Sequence, residues 1–191
     1  HHHRDADALR RQYQAQLVEL ETLLDVEAIA QSASQSGQKS LYSLEDLEMV
    51  RSLWAEAIAT LETIPQNSDL YGFARQTLPD YRAQLAAAEQ QLQVEQDALA
   101  ALNNAKQAAQ LAVARERVSQ TVEQWQFARV TWIVALQRLQ QVSEGTLAAL
   151  AAQPLQSQYQ SAFDAVDQRV LKEQQAVHLM AQATQQAQVA Q

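Results

Sequence analysis

The side chains that could do chemistry are few, and their spacing does not bring them together. His178 is the one histidine outside the opening His1 to His3, and the chain has no cysteine. One histidine without a thiolate cannot build a zinc site of the usual kind. Carboxylates group twice, as Glu45, Asp46 and Glu48 and as Glu19, Glu21, Asp25 and Glu27. A hard-cation site needs oxygens converging on one point, typically from a glycine-containing loop. The first group instead opens a helix, where carboxylates complement the macrodipole, and the second reads as a solvated helix face. No nucleophile elbow or paired His/Asp arrangement occurs, and three glycines in all leave nothing to cradle a phosphate. The expectation is a protein that is not an enzyme, with no catalytic, cofactor-binding or metal-binding residues. Trp54 and Trp132 could serve as a binding platform, since tryptophan is enriched at interface hot spots. Both fall on apolar stripes, however, so they are expected in the core.

The elements that carry these residues read as helices joined by short turns. Residues 5–35 form one helix, with Tyr13, Leu17, Leu20 and Leu24 spaced four, three and four apart. The stretch 32–43 holds Gly37 and a cluster of serines and reads as a loop. Ser43 followed by Asp46 resembles a capping box. A second helix runs from about Leu44 to Ile64, with Leu44, Leu47, Val50, Trp54, Ala57, Leu61 and Ile64 on one stripe. Pro65 to Ser68 breaks it, with Ser68 or Asn67 as the next cap.

From Asp69 the pattern is helical to about Val118, and Pro79 is expected to kink or restart the helix near Leu78. Its stripe is Tyr81, Leu85, Ala88, Leu92, Leu99, Leu102, Ala109 and Val113, with Glu95 and Lys106 as polar interruptions. After a weak break at Ser119 to Thr121, helices follow over 122–142 and from Leu147 to about Ala187. A turn at Ser143 to Thr146 separates them, and Pro154 lies near the start of the last helix.

The segment 43–109 overlays 121–187 without a gap at an offset of 78 residues. The overlay pairs Trp54 with Trp132, Arg51 with Arg129, Ala57 with Ala135, Leu61 with Leu139 and Tyr81 with Tyr159. Glu95 with Glu173 and the conservative pairs Ile64/Val142, Ser68/Thr146 and Leu92/Val170 fill the spaces. Matches at Ala or Gln are cheap in a chain rich in both, but Trp, Tyr, Arg and Leu matches in one register point to an internal duplication. Four segments follow: 1–3, the remnant of a tag; 4–36, an N-terminal helix; 43–118, a first repeat; and 119–191, a second. Residues 80–118 would close the first copy and open the second.

Each copy holds a helix with W-x-x-A-x-x-x-L, a short turn, and a helix with A-x(6)-Y. In the first these are Trp54, Ala57 and Leu61, the turn Ile64 to Ser68, then Tyr71, Ala74 and Tyr81. The phrase resembles the helical-hairpin repeat, tetratricopeptide-like in its logic, that recurs in cyanobacterial proteins. The second copy keeps Trp132, Ala135, Leu139 and Tyr159 but has Ser143 for Pro65 and Ala149 for Tyr71. The resemblance implies a scaffold without catalytic residues. A true tetratricopeptide differs further: Ile58 stands where glycine is usual, and the period is 78 residues rather than about 34.

Composition agrees with helix. Ala, Gln, Leu and Glu dominate 191 residues that include only three prolines. The net charge of −8 disfavours phosphate backbones and anionic head groups. No apolar run approaches the ~18 residues of a membrane helix. With a tag abutting Arg4, the chain reads as a soluble region excised from a larger protein, which could itself be membrane-anchored. The expected fold is all-α, a tandem repeat of long antiparallel helical hairpins in an elongated, coiled-coil-like array. The expected function is non-catalytic: a protein-interaction or spacer domain whose partner is a helical protein or a second copy, and not nucleic acid or membrane. One alternative is the coiled-coil hairpin of a membrane-fusion-type adaptor of an export system. Another is a small-molecule sensor with an inter-helix pocket lined by Trp54, Tyr71 and Tyr81 or their counterparts in the other copy.

Overall fold

The computed structural model describes residues 2–38 and 42–189. His1 of the tag, residues 39–41 of the serine-rich loop and the last two residues of the second repeat lie outside them. The fold is all-α: α1 (His2–Ser36), α2 (Leu44–Glu62), α3 (Tyr71–Val118), α4 (Val122–Gln140) and α5 (Leu147–Val189). Among the described residues there is no strand, and no helix is long and apolar enough to cross a membrane.

Side chains start these helices where the sequence supplies caps. The Ser43 hydroxyl accepts the Asp46 N–H at 3.1 Å, and the Asp46 carboxylate accepts the Ser43 N–H at 3.1 Å. Thr121 and Gln124 make the same reciprocal pair at the head of α4, at 3.4 and 3.3 Å. Each box satisfies two amides that the helix itself leaves without partners. Ser68 accepts the Leu70 N–H at 3.0 Å, and Thr146 accepts the Ala149 N–H at 3.0 Å. Gly145 adopts φ +76°, a left-handed turn conformation that glycine takes without steric cost.

Contacts divide the chain into two compact units, His1–Gln93 and Val94–Gln191. The boundary falls inside α3, whereas the two segments expected as repeats begin at Ser43 and Thr121. A 48-residue helix is long enough to close one set of three helices and open another. In the first unit, Val26 packs with Leu61, Ile64 and Ala74; Ala30 and Ala33 pack with Val50, Trp54 and Ala88; and Tyr42 packs with Leu47 and Leu92. Positions rise along α1 and α3 while they fall along α2, so neighbouring helices are antiparallel. In the second unit, Ala98, Leu102, Ala105, Ala109 and Ala112 of α3 meet Trp132, Ala135 and Leu139 of α4 and Tyr159 and Val166 of α5. Alanine dominates this seam, and small side chains let helix axes approach closely.

Several expectations change. Residues 32–35, claimed by both the helix 5–35 and the loop 32–43, are helical, and α1 runs on to Ser36. The helix continues through Pro79 without a restart, and likewise through Pro154. The stripe Tyr13, Leu17, Leu20 and Leu24 is exposed, at 52–59%. The buried face of α1 is Val26, Ala30 and Ala33 instead, because α2 is too short to cover the first half of α1. In α3 the buried positions are Ala74 and then Ala88, Leu92, Glu95, Ala98, Leu102, Ala105, Ala109 and Ala112. Leu99 and Val113 therefore lie off the seam, and the expected interruption Glu95 lies on it.

Candidate functional site

In each unit one tryptophan and one tyrosine form the floor of a groove. α2 holds Trp54 and α3 holds Tyr81, with ring centroids 5.1 Å apart and planes inclined at 60°. α4 holds Trp132 and α5 holds Tyr159, at 5.4 Å and 56°. Such tilted contacts place the positive edge of one ring against the face of the other. Trp54 and Trp132 are buried, as are Ala57, Leu61, Ala135, Leu139 and Tyr159, while Tyr81 is half-buried. Burial raises the Tyr159 hydroxyl above the ordinary tyrosine value. It raises Tyr81 too, with a further contribution from the Glu27 carboxylate. Both results follow because phenolate is disfavoured away from water and beside a negative charge.

The surroundings of the two tryptophans differ. In the second unit the Trp132 indole N–H donates to the Glu116 carboxylate. The groove there, about 540 Å³, carries Lys106 and Arg117. In the first unit Trp54 lines a groove of about 390 Å³ with Gly37, Tyr42, Asp80, Tyr81 and Gln84 among its walls. No lysine, arginine or histidine among the described residues lines it. Among the described residues no group accepts the Trp54 N–H, which is not sealed from solvent, and Asp80 has no ion-pair or hydrogen-bond partner. The Tyr42 hydroxyl donates to the Gly37 carbonyl, tying the segment after α1 to the rim. Tyr71, expected in this pocket, packs instead with the cluster of Leu61, Ile64 and Ala74.

The other polar residues are engaged in structure. Glu95 is 8% exposed, and its two carboxylate oxygens accept the N–H groups of Leu147 and Ala148, each at 3.2 Å. It thus caps the start of α5 from another helix, which explains a carboxylate on an apolar seam. Its place on the stripe was the available sequence signal, since a charge there needs donors. Arg129 pairs with Asp167 and lies 5.5 Å from the Phe163 ring centroid. Trp125 is half-buried, with the Arg169 guanidinium 5.5 Å from its ring centroid. His178 is exposed and hydrogen-bonds Gln182 one turn along α5. Among the described residues no three His, Asp or Glu side chains converge on a point that could hold a metal ion.

A long apolar stripe also stands in the open. On α1, Leu9, Tyr13, Leu17, Leu20 and Leu24 are each 50–59% exposed. Their spacings of four, four, three and four keep them on one helix face. A separate groove of about 500 Å³ lies between α1, at Val18 and Thr22, and the turn carrying Ile64, Pro65 and Leu70. Compared with protein-family models, with curated proteins and with solved structures, the chain matches none.

Proposed function

We propose that the chain is a non-catalytic protein-interaction domain, built by duplication of a helical unit of the hairpin-repeat type its sequence resembles. The paired capping boxes, the paired Trp–Tyr contacts and the buried pairs Ala57/Ala135 and Leu61/Leu139 support the duplication. The observation that carries the interaction reading is the exposed stripe Leu9, Tyr13, Leu17, Leu20 and Leu24. Scattered exposed leucines are ordinary, whereas a contiguous row at helical spacing marks a contact surface. An amphipathic helix laying its own i, i+3, i+4 and i+7 positions along that row is the partner chemistry it fits.

The test compares the chain with a Leu17→Gln/Leu24→Gln variant, both positions being exposed so that folding is spared. A helical protein captured by the first and lost by the second, at unchanged helicity, supports the reading. Tight binding of the unaltered chain to duplex DNA, RNA or anionic liposomes at about 0.15 M salt overturns it.

A further inference from the structure

The groove beside Trp54 lacks a side chain that its counterpart uses to pair the indole. α1 and the second part of α3 bury the same pattern 79 positions apart, as Val26/Ala105, Ala30/Ala109 and Ala33/Ala112. In that register Gly37 stands where Glu116 stands. Glu116 supplies the acceptor for the Trp132 N–H. Gly37 has no side chain to supply one for Trp54. The result is an indole donor on a residue only 6% exposed, with no acceptor among the described residues, in the wall of a 390 Å³ groove. That N–H is not sealed inside the core, so it can donate to a ligand that enters the groove. Asp80, on the same groove, is a carboxylate without a partner among the described residues.

We propose that this groove is a binding site for a small organic cation that also carries a carbonyl and an apolar side chain. The carbonyl oxygen accepts the Trp54 N–H, taking the place that the Glu116 carboxylate fills beside Trp132. The ammonium group faces Asp80, and the apolar part lies on Tyr81, Tyr42 and Ala88. A ligand carboxylate fits badly, because Asp80 would repel it and, among the described residues, no cation lines the groove. The size suits such a molecule, since ligand pockets span about 300–1,000 Å³. The groove beside Trp132 serves as an internal control, because its indole is already paired and Lys106 and Arg117 line it.

The experiment follows the three indole N–H resonances by nitrogen–proton NMR on the whole chain, assigned through single Trp→Phe variants. The probe is phenylalaninamide, which combines amine, carbonyl and ring. N-acetylphenylalanine, an anion, and benzylamine, which lacks the carbonyl, are the comparisons. Phenylalaninamide is expected to shift the Trp54 resonance saturably and to leave Trp132 in place. N-acetylphenylalanine should not bind, and benzylamine should bind on the order of tenfold more weakly, the scale of one lost hydrogen bond. Asp80→Asn, at an exposed helix position, should weaken the amide on the order of fivefold, and Ser34→Phe, which fills the groove, should abolish the shift. Unchanged helicity and an unchanged cooperative melt of the whole chain show that either variant is folded. The proposal is overturned if no saturable Trp54 shift appears up to about 10 mM, where a site of about 1 mM Kd is nine-tenths full. Equal movement of Trp132, or equal binding of N-acetylphenylalanine, overturns it as well.

Discussion

Trp54 and Trp132 share a position but not a hydrogen bond, and this separates their energetics. Truncating either to alanine removes a buried aromatic, so each variant should lose about 3–5 kcal/mol in denaturant melts. Phenylalanine should separate them. Trp132→Phe leaves Glu116 without its donor, whereas Trp54→Phe removes a donor that had no acceptor. Trp132→Phe is therefore expected to cost about 0.5–1.5 kcal/mol more than Trp54→Phe, and equal losses would deny the Glu116 bond any net worth. Glu95→Ala should cost about 1.5–3 kcal/mol, because the two amides it caps carry a charge-assisted bond each. Glu95→Gln keeps one acceptor oxygen and turns an NH2 group toward the other amide, so it should recover only part of that loss in the same denaturant melts. The tyrosines fix the alkaline behaviour. Folding raises Tyr81 and Tyr159 above the ordinary value of 10.0, so the folded chain holds protons that the unfolded chain releases. Their contribution is complete below pH 10 and is lost as pH rises through the folded values. A Tyr81→Phe/Tyr159→Phe variant should accordingly show a flatter decline of stability above that pH, measured by chemical denaturation.

At the scale of elements, the best-marked boundaries are those with a cap. Ser43 and Asp46 announce α2 by type and spacing, and Thr121 with Gln124 does the same for α4 once the 78-residue register is seen. Ser43→Ala and Thr121→Ala should each cost about 1 kcal/mol. Loss of protection confined to the first turn of α2 or α4 in hydrogen exchange would confirm the local cause, while protection lost throughout the helix would argue against it. Pro79 was legible as a residue that breaks a hydrogen bond but not as one the helix tolerates. Packing of Ala74, Tyr81 and Ala88 on either side holds the backbone helical across the missing donor. The α1 stripe shows the limit of periodicity. Spacing told that residues 5–35 are helical, but not which face would find a neighbour. The true contact face is Val26, Ala30 and Ala33, and alanine in a chain this rich in it carries almost no signal. The same ambiguity hid the seam of α3, whose buried set steps by three twice in succession, Leu92 to Glu95 to Ala98, beside the unit boundary at Gln93 and Val94. A strict heptad reading passes over that step and so places Leu99 and Val113 inside. The groove residues Trp54 and Tyr81 were visible as repeat positions. That Gly37 leaves the indole unpaired depended on a contact between helices, which no sequence pattern reports.

For the whole molecule, 22 acidic residues against 14 basic ones set the long-range field, while the exposed stripe on α1 sets the short-range one. The two respond oppositely to salt. An ionic attraction fades as the screening length shrinks from roughly 10 Å at about 0.1 M salt to 3 Å at about 1 M. Burial of leucine side chains is not screened. Each half-exposed leucine on the stripe has only part of its side chain still to bury, so several must act together to hold a partner. The partner's affinity should thus change by no more than on the order of threefold across that salt range. Leu17→Gln/Leu24→Gln should weaken it at every salt concentration alike. Titrations by isothermal calorimetry would read both, together with the negative heat-capacity change that apolar burial brings. A steep fall in affinity with salt, or a heat-capacity change near zero, would transfer recognition from the α1 stripe to the charged surface.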